Sequence, residues 1–199
     1  GLLCVNHEYT NEELMFPAIG RQDREKKFAD MTKELAEVEM MAHGGSVLEV
    51  RKANGKWGVV EGSKYARRIT AETEMRISGP AAGDARMKTN ADPTGTKVKG
   101  MFNNCAGGRT PWGTWVTCEE NINGYFMGKD AAEKHPDAKA LKRYGIPGEW
   151  YSWAKWHDRF DLAKEPNEPH RFGWVVEIDP KDPTSTPVKR TALGRFKHE

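Results

Sequence analysis

The sequence predicts a mainly β protein, several blades of a partial β-propeller carrying inserted surface helices. Three observations lead there. Twenty glycines and 11 prolines among 199 residues give the turn density that a many-stranded fold needs and a helical bundle does not. Short apolar runs recur in pairs over 46–60, 98–119 and 173–193, separated by loops, which fits successive blades better than alternating strands and helices. Seven Trp, seven Phe and five Tyr supply a core in a chain whose mean hydropathy is only −0.78. The length matches one domain. The chain opens on Gly1 directly in a strand-like run and stops at Glu199 without a tail, so 1–199 is expected to be part of a single domain truncated at both ends.

The elements follow in order. Leu2-Leu3-Cys4-Val5 reads as a strand over 1–9 that runs into polar Asn6-His7-Glu8-Tyr9, and the polar end of a strand is where sites are built. From Asp23 to His43, Phe28, Met31, Leu35, Val38 and Ala42 recur three or four apart, predicting one long amphipathic helix stopped by Gly44-Gly45. Asn54-Gly55 between apolar runs predicts a hairpin. A strand is expected over Arg67 to Ile77, a loop over 91–96, and a strand pair at Val98–Asn104 and Gly113–Glu119 around Ala106-Gly107-Gly108-Arg109-Thr110-Pro111. Residues 129–143 read as a short helix interrupted at Pro136. The aromatic stretch 150–157 has no evident role. Two strands over 173–180 and 188–193 flank a turn rich in Pro, Asp and Thr.

Charge and motifs exclude several classes. Thirty-one Lys and Arg against 29 Asp and Glu leave +2, and no run of five like charges appears, so neither a nucleic-acid partner nor a charged membrane patch is indicated. No apolar stretch reaches the ~20 residues of a membrane span. Cys-x-x-Cys, His-Glu-x-x-His and phosphate-loop patterns are missing. Three cysteines are too few for a disulfide scaffold and leave the compartment open.

A few residues could carry chemistry. Cys105 stands between Asn103-Asn104 and Ala106-Gly107-Gly108, where bare backbone lets a ligand approach the thiol; a buried structural cysteine is the plainer alternative. In Cys118-Glu119-Glu120-Asn121 adjacent carboxylates repel unless cations or water relieve them; two solvated surface acids would do so as well. Glu8 and Glu199 each follow a histidine after a strand-like segment. Carboxylates suit hard cations such as Ca²⁺, while a thiolate favours a softer transition metal. A metal hydrolase and a cysteine hydrolase both stay open, although no histidine neighbours Cys105 in sequence.

The run from Asn103 to Asn121 closely resembles the central motif of the PhoX-type alkaline phosphatases. Leu3–Asn11, Ser78–Gly83 leading to Ala91–Thr96, and Gly173 through Glu199 resemble the family in the expected order. The resemblance implies a β-propeller phosphomonoesterase, exported to the periplasm or secreted, that frees inorganic phosphate from small phosphate esters with ferric iron and calcium. Motif by motif, it implies that Cys105 is an iron ligand and that Glu199 is a carboxylate at the same cluster and the catalytic residue. Glu119, Glu120 and Glu8 would contribute further carboxylates to the iron and calcium ions. Such ions would offset the charge that develops on phosphoryl oxygens. The family's later phosphate-binding motifs lie beyond Glu199, so this stretch alone is expected to be inactive. A non-catalytic β-propeller interaction module is the alternative, and Cys105 with its four glutamates speaks against it.

Overall fold

A computed structural model describes residues 1–22 and 28–195, and the ten strands among them lie in two sheets. Strand β1 (Leu2–His7) pairs antiparallel with β2 (Gly44–Ala53), which also pairs with β3 (Lys56–Val59) and β4 (Arg67–Ile69). The β2–β3 hairpin turns where the sequence predicts. Asn54 and Gly55 both adopt left-handed φ values, 51° and 79°, as a two-residue hairpin loop of right-handed twist demands.

The second sheet contains β5 (Glu74–Ser78), β6 (Lys97–Lys99), β7 (Asn104–Arg109), β8 (Trp115–Glu119), β9 (Val175–Ile178) and β10 (Val188–Arg190), in the order β6-β5-β10-β9-β8-β7. Only β5 and β10 run parallel. The protein is thus mainly β, with two open sheets among the described residues. The pairs expected as separate blades at 98–119 and 173–193 share one sheet, because β8 hydrogen-bonds β9.

Other expectations change locally. The long helix shrinks to α2 (Lys33–Ala42), the second of four α-helices among the described residues, after α1 (Glu12–Met15); residues 23–27 of the expected helix lie outside the described residues. Thr32 caps α2 by accepting the Leu35 amide at 3.3 Å, as an N-cap threonine does. Phe28 and Met31 are buried but precede the helix, and Phe28 has φ 53°. The inward face of α2 is Ala36, Glu39 and Met40, while Val38 is exposed. The single strand expected over Arg67–Ile77 is two strands in different sheets, separated by a turn in which the Thr73 hydroxyl accepts the Thr70 amide at 2.9 Å. Ala106–Gly108 belong to strand β7 rather than to a turn, which comes later, at Thr110–Gly113. Helices α3 (Lys129–Lys134) and α4 (Ala138–Arg143) flank Pro136 as predicted. No described helix is long and apolar enough to cross a membrane.

The aromatic stretch finds its role in the core. Tyr151 and Trp153 are buried with Phe102, Tyr125, Phe126, Phe160 and Phe172. Tyr125 and Tyr151 stack at 4.7 Å with an interplanar angle of 3°, and edge contacts tie Trp153 to Phe102 and Phe160, geometries that aromatic quadrupoles favour. Two titratable groups from α2 and its end sit in this cluster. Glu39 accepts hydrogen bonds from Trp153 Nε1 at 3.1 Å and the Thr10 hydroxyl at 3.3 Å, and burial lifts its carboxyl to about 7. Burial pulls the neighbouring His43 down to about 4.

Candidate metal centre

Glu8, Cys105 and Glu120 lie where the edges of the two sheets meet. Strand β1 is an edge of the first sheet and β7 an edge of the second. One side chain fastens them: Asn6 Nδ2 donates to the Cys105 carbonyl at 2.9 Å, and its Oδ1 accepts the Thr117 hydroxyl at 2.7 Å. Thr117 in turn accepts from Asn104 Nδ2 at 3.3 Å. The β7–β8 register passes from Asn104↔Glu119 to Gly107↔Thr117, so Cys105 and Ala106 together oppose Cys118. Such a bulge re-aims a side chain out of the regular ladder. Gly107 is required behind it, since a Cβ there would stand 2.9 Å from the Val116 carbonyl oxygen.

Glu8 follows the end of β1 and Glu120 the end of β8. Burial raises the Glu8 carboxyl, and the charge of Glu120 raises it further. Burial likewise pushes the Cys105 thiol up, with Glu120 and Glu8 acting in the same direction. These three groups therefore lie within electrostatic reach of one another, although they come from both sheets. Cys118 stands close behind: burial raises its thiol, and Cys105 adds to the shift. No disulfide joins the three cysteines. Asn121 Nδ2 donates to Glu120 Oε2 at 3.0 Å, orienting that carboxylate.

Glu119 takes a different place from the one expected beside Glu120. Successive strand residues face opposite ways, and Glu119 turns into the core, fully buried. Its Oε1 accepts from Lys189 Nζ at 2.8 Å, and its Oε2 accepts the amides of Gly173 and Trp174 at 3.0 and 3.2 Å. Lys189 is itself fully buried, donates also to the Arg171 carbonyl at 3.2 Å, and lies over the Phe172 ring at 3.7 Å from its centroid. Burial raises the Glu119 carboxyl and pulls Lys189 down to about 8, each opposed by the partner's charge. With three N–H donors converging on the carboxylate, the pair is ionic. The repulsion expected between adjacent glutamates is thus relieved by an ammonium and by strand alternation, and both Glu119 oxygens are engaged. Glu199 lies outside the described residues.

The residues around Cys105 fit a cation. Asn103 Oδ1 and Asn104 Oδ1 are buried without a hydrogen-bond partner, a costly state for a carbonyl oxygen. Asn103 holds a left-handed φ of 56° and donates through Nδ2 to the Tyr125 hydroxyl at 3.1 Å. A thiol and two carboxyls that disfavour each other's charge are donor types that suit a cation. Sequence reasoning missed Asn6 and Thr117 as the clamp. Their one signal was polarity at positions where a strand faces inward.

Fold and donor set together define a class, β-rich proteins that gather a thiol and carboxylates where two sheets meet. Over residues 1–199 the chain matches the family model described as alkaline phosphatase PhoX, and it belongs to that family. It is similar to the solved structure of Pseudomonas fluorescens PhoX in complex with vanadate, a transition state analogue, with 49% sequence identity and a TM-score of 0.88. That similarity covers 100% of this chain and 33% of the other, so the chain spans about a third of that protein's length. No match is found among the curated proteins.

Proposed function

We propose that the protein containing this chain is a metal-dependent alkaline phosphatase that releases inorganic phosphate from small organic phosphate esters. The observation that carries the proposal is the match to the PhoX family over residues 1–199, and it is supported by Glu8, Cys105 and Glu120 lying within electrostatic reach of one another. The similar structure with bound vanadate supports it. Residues 1–199 would form part of a single β-propeller domain, exported to the periplasm or secreted, in which the two open sheets are completed by chain beyond this stretch.

Cys105, Glu120 and Glu8 would hold ferric iron and calcium, with Glu199 joining them as a ligand and as the catalytic residue. When bound, these ions supply positive charge against the developing charge of the phosphoryl group and lower the pH at which water can attack. The chain's own residues set the stage. Asn6 fixes the backbone of Cys105 from the opposite sheet. The Glu119–Lys189 pair, with Glu119 also bonded to the Gly173 and Trp174 amides, anchors β8 and so presents Glu120 outward. Beside Glu120 runs a groove of about 500 Å³ whose walls include Asn121, Arg143, Trp150 and Arg195. Arg195 donates through Nη2 to the Pro169 carbonyl at 3.1 Å, and its guanidinium lies 4.4 Å from the Tyr144 ring centroid. Two guanidinium groups there suit a phosphate dianion.

The test is elemental analysis of the full-length protein, wild type beside Cys105→Ala, with hydrolysis of p-nitrophenyl phosphate measured on the same samples. Iron and calcium lost together with activity in the variant are the expected result. A wild type that carries no iron, with a variant that behaves identically, would overturn the site assignment and put the non-catalytic interaction module in its place.

A further inference from the structure

A second cluster of metal-ligating side chains lies apart from Glu8, Cys105 and Glu120. His135 closes α3, Asp137 opens α4 across Pro136, and His170 stands in the short 3₁₀ turn Glu168–Arg171. One ligand atom from each of the three lies within 4.8 Å of the others. His170 Nε2 is 3.4 Å from Asp137 Oδ2, and the two imidazoles are 5.7 Å apart.

Two details make this more than a surface coincidence. His170 is 8% exposed, and its Nε2 is buried without a hydrogen-bond partner. Asp137 occupies the N-cap position of α4, yet its carboxylate caps no helix amide and instead stands beside His170. The Asp137 amide donates to His135 Nδ1 at 2.9 Å, which occupies that lone pair and leaves the proton on Nε2, so ligation through His135 exchanges this hydrogen bond for the ion. Burial, with Arg195 adding to it, holds His170 down to about 4. The other charged groups facing the cluster are Asp84, which favours a cation, and Arg86, which with Arg195 opposes one.

We propose that His135, Asp137 and His170 form a structural binding site for a divalent first-row transition ion, with zinc as its probe. Two imidazoles and one carboxylate suit zinc rather than calcium or magnesium, which prefer oxygen donors throughout. Three protein ligands leave room for water to complete the coordination. The ion would staple the α3–α4 pair to the Glu168–Arg171 turn, whose Arg171 carbonyl accepts from Lys189. The inference stands whether or not the phosphatase reading does, because its residues and its readout are separate.

The experiment uses the full-length protein, stripped of weakly held metal, titrated with zinc chloride in a calorimeter and then desalted for zinc content. Wild type is compared with Asp137→Asn and His135→Gln, both at half-buried positions that spare the core, and with His170→Gln. The expected result is one more zinc per chain in wild type than in any variant, with affinity about 10–100-fold weaker in each and circular dichroism spectra unchanged in the first two. Equal zinc content in wild type, Asp137→Asn and His135→Gln, or no zinc retained by wild type, would overturn the proposal.

Discussion

Replacing Glu119 with Gln keeps the shape of the side chain but removes the charge that holds the buried ammonium of Lys189 at 2.8 Å. What remains around Lys189 is the Arg171 carbonyl at 3.2 Å and the face of Phe172, neither of which neutralises it. Removing one partner of a buried pair costs about 3–5 kcal/mol. Because the Gln oxygen can still accept the Gly173 and Trp174 amides, the lower end applies, about 3 kcal/mol. The loss depends on pH. Native Glu119→Gln can shed the Lys189 proton that the unfolded chain keeps, so its deficit shrinks as pH rises toward about 8, where wild-type Lys189 also titrates. The assay is urea unfolding of the full-length, chelator-treated protein followed by tryptophan fluorescence. Glu120→Gln should leave the midpoint unchanged or slightly raised, since it removes a charge that acts unfavourably on Glu8. The double replacement Glu119→Gln with Lys189→Met should recover most of the loss. A wild-type midpoint for Glu119→Gln, or an equal loss for Glu120→Gln in metal-free protein, would refute the division of labour between these neighbours.

Two further outcomes test the frame around the site. Burial places the Glu39 carboxyl at about 7 against an ordinary 4.5, so its contribution is fully present below pH 4.5 and is lost as pH rises through 7. Glu39→Gln should therefore gain about 3 kcal/mol relative to wild type between pH 4.5 and 8, and a pH-independent difference in unfolding midpoints would contradict this. Gly107→Ala places a Cβ 2.9 Å from the Val116 carbonyl oxygen and 3.2 Å from Trp115 Nε1, which should cost about 1–3 kcal/mol and lower metal content by shifting Cys105; an unchanged midpoint with full metal content would show that the bulge yields freely.

Local chemistry was legible in the sequence, and long-range pairing was not. Asn54-Gly55 announces its hairpin because the turn needs two left-handed residues in a row, and Pro136 splits its helix by removing an amide donor. The apolar spacing from Phe28 to Ala42 misleads at its start. Phe28 and Met31 are buried by tertiary packing, while Thr32 sets the helix boundary. Nothing local marks the crossing from β4 to β5 between sheets, or the parallel pairing of β5 with β10 more than a hundred residues later. At the site, Cys105 and Glu120 stand out through their unusual neighbours. The separation of Glu119 from Glu120 depends on Lys189, 70 residues away, and Asn6 acts through partners about a hundred positions distant.

The fastening of β1 to β7 by the Asn6 side chain has a consequence for assembly. Strand β7 pairs with β8 across a short turn and forms quickly, whereas β1 must wait for β2, some forty residues on. Glu8 arrives with one unit and Cys105 and Glu120 with the other, so no half-assembled intermediate owns the complete donor set. On the proposed function, cation uptake would report that docking has finished. By mass action it would also hold the docked form against reopening, so that a metal-starved chain would open at this junction more readily than a metal-replete one.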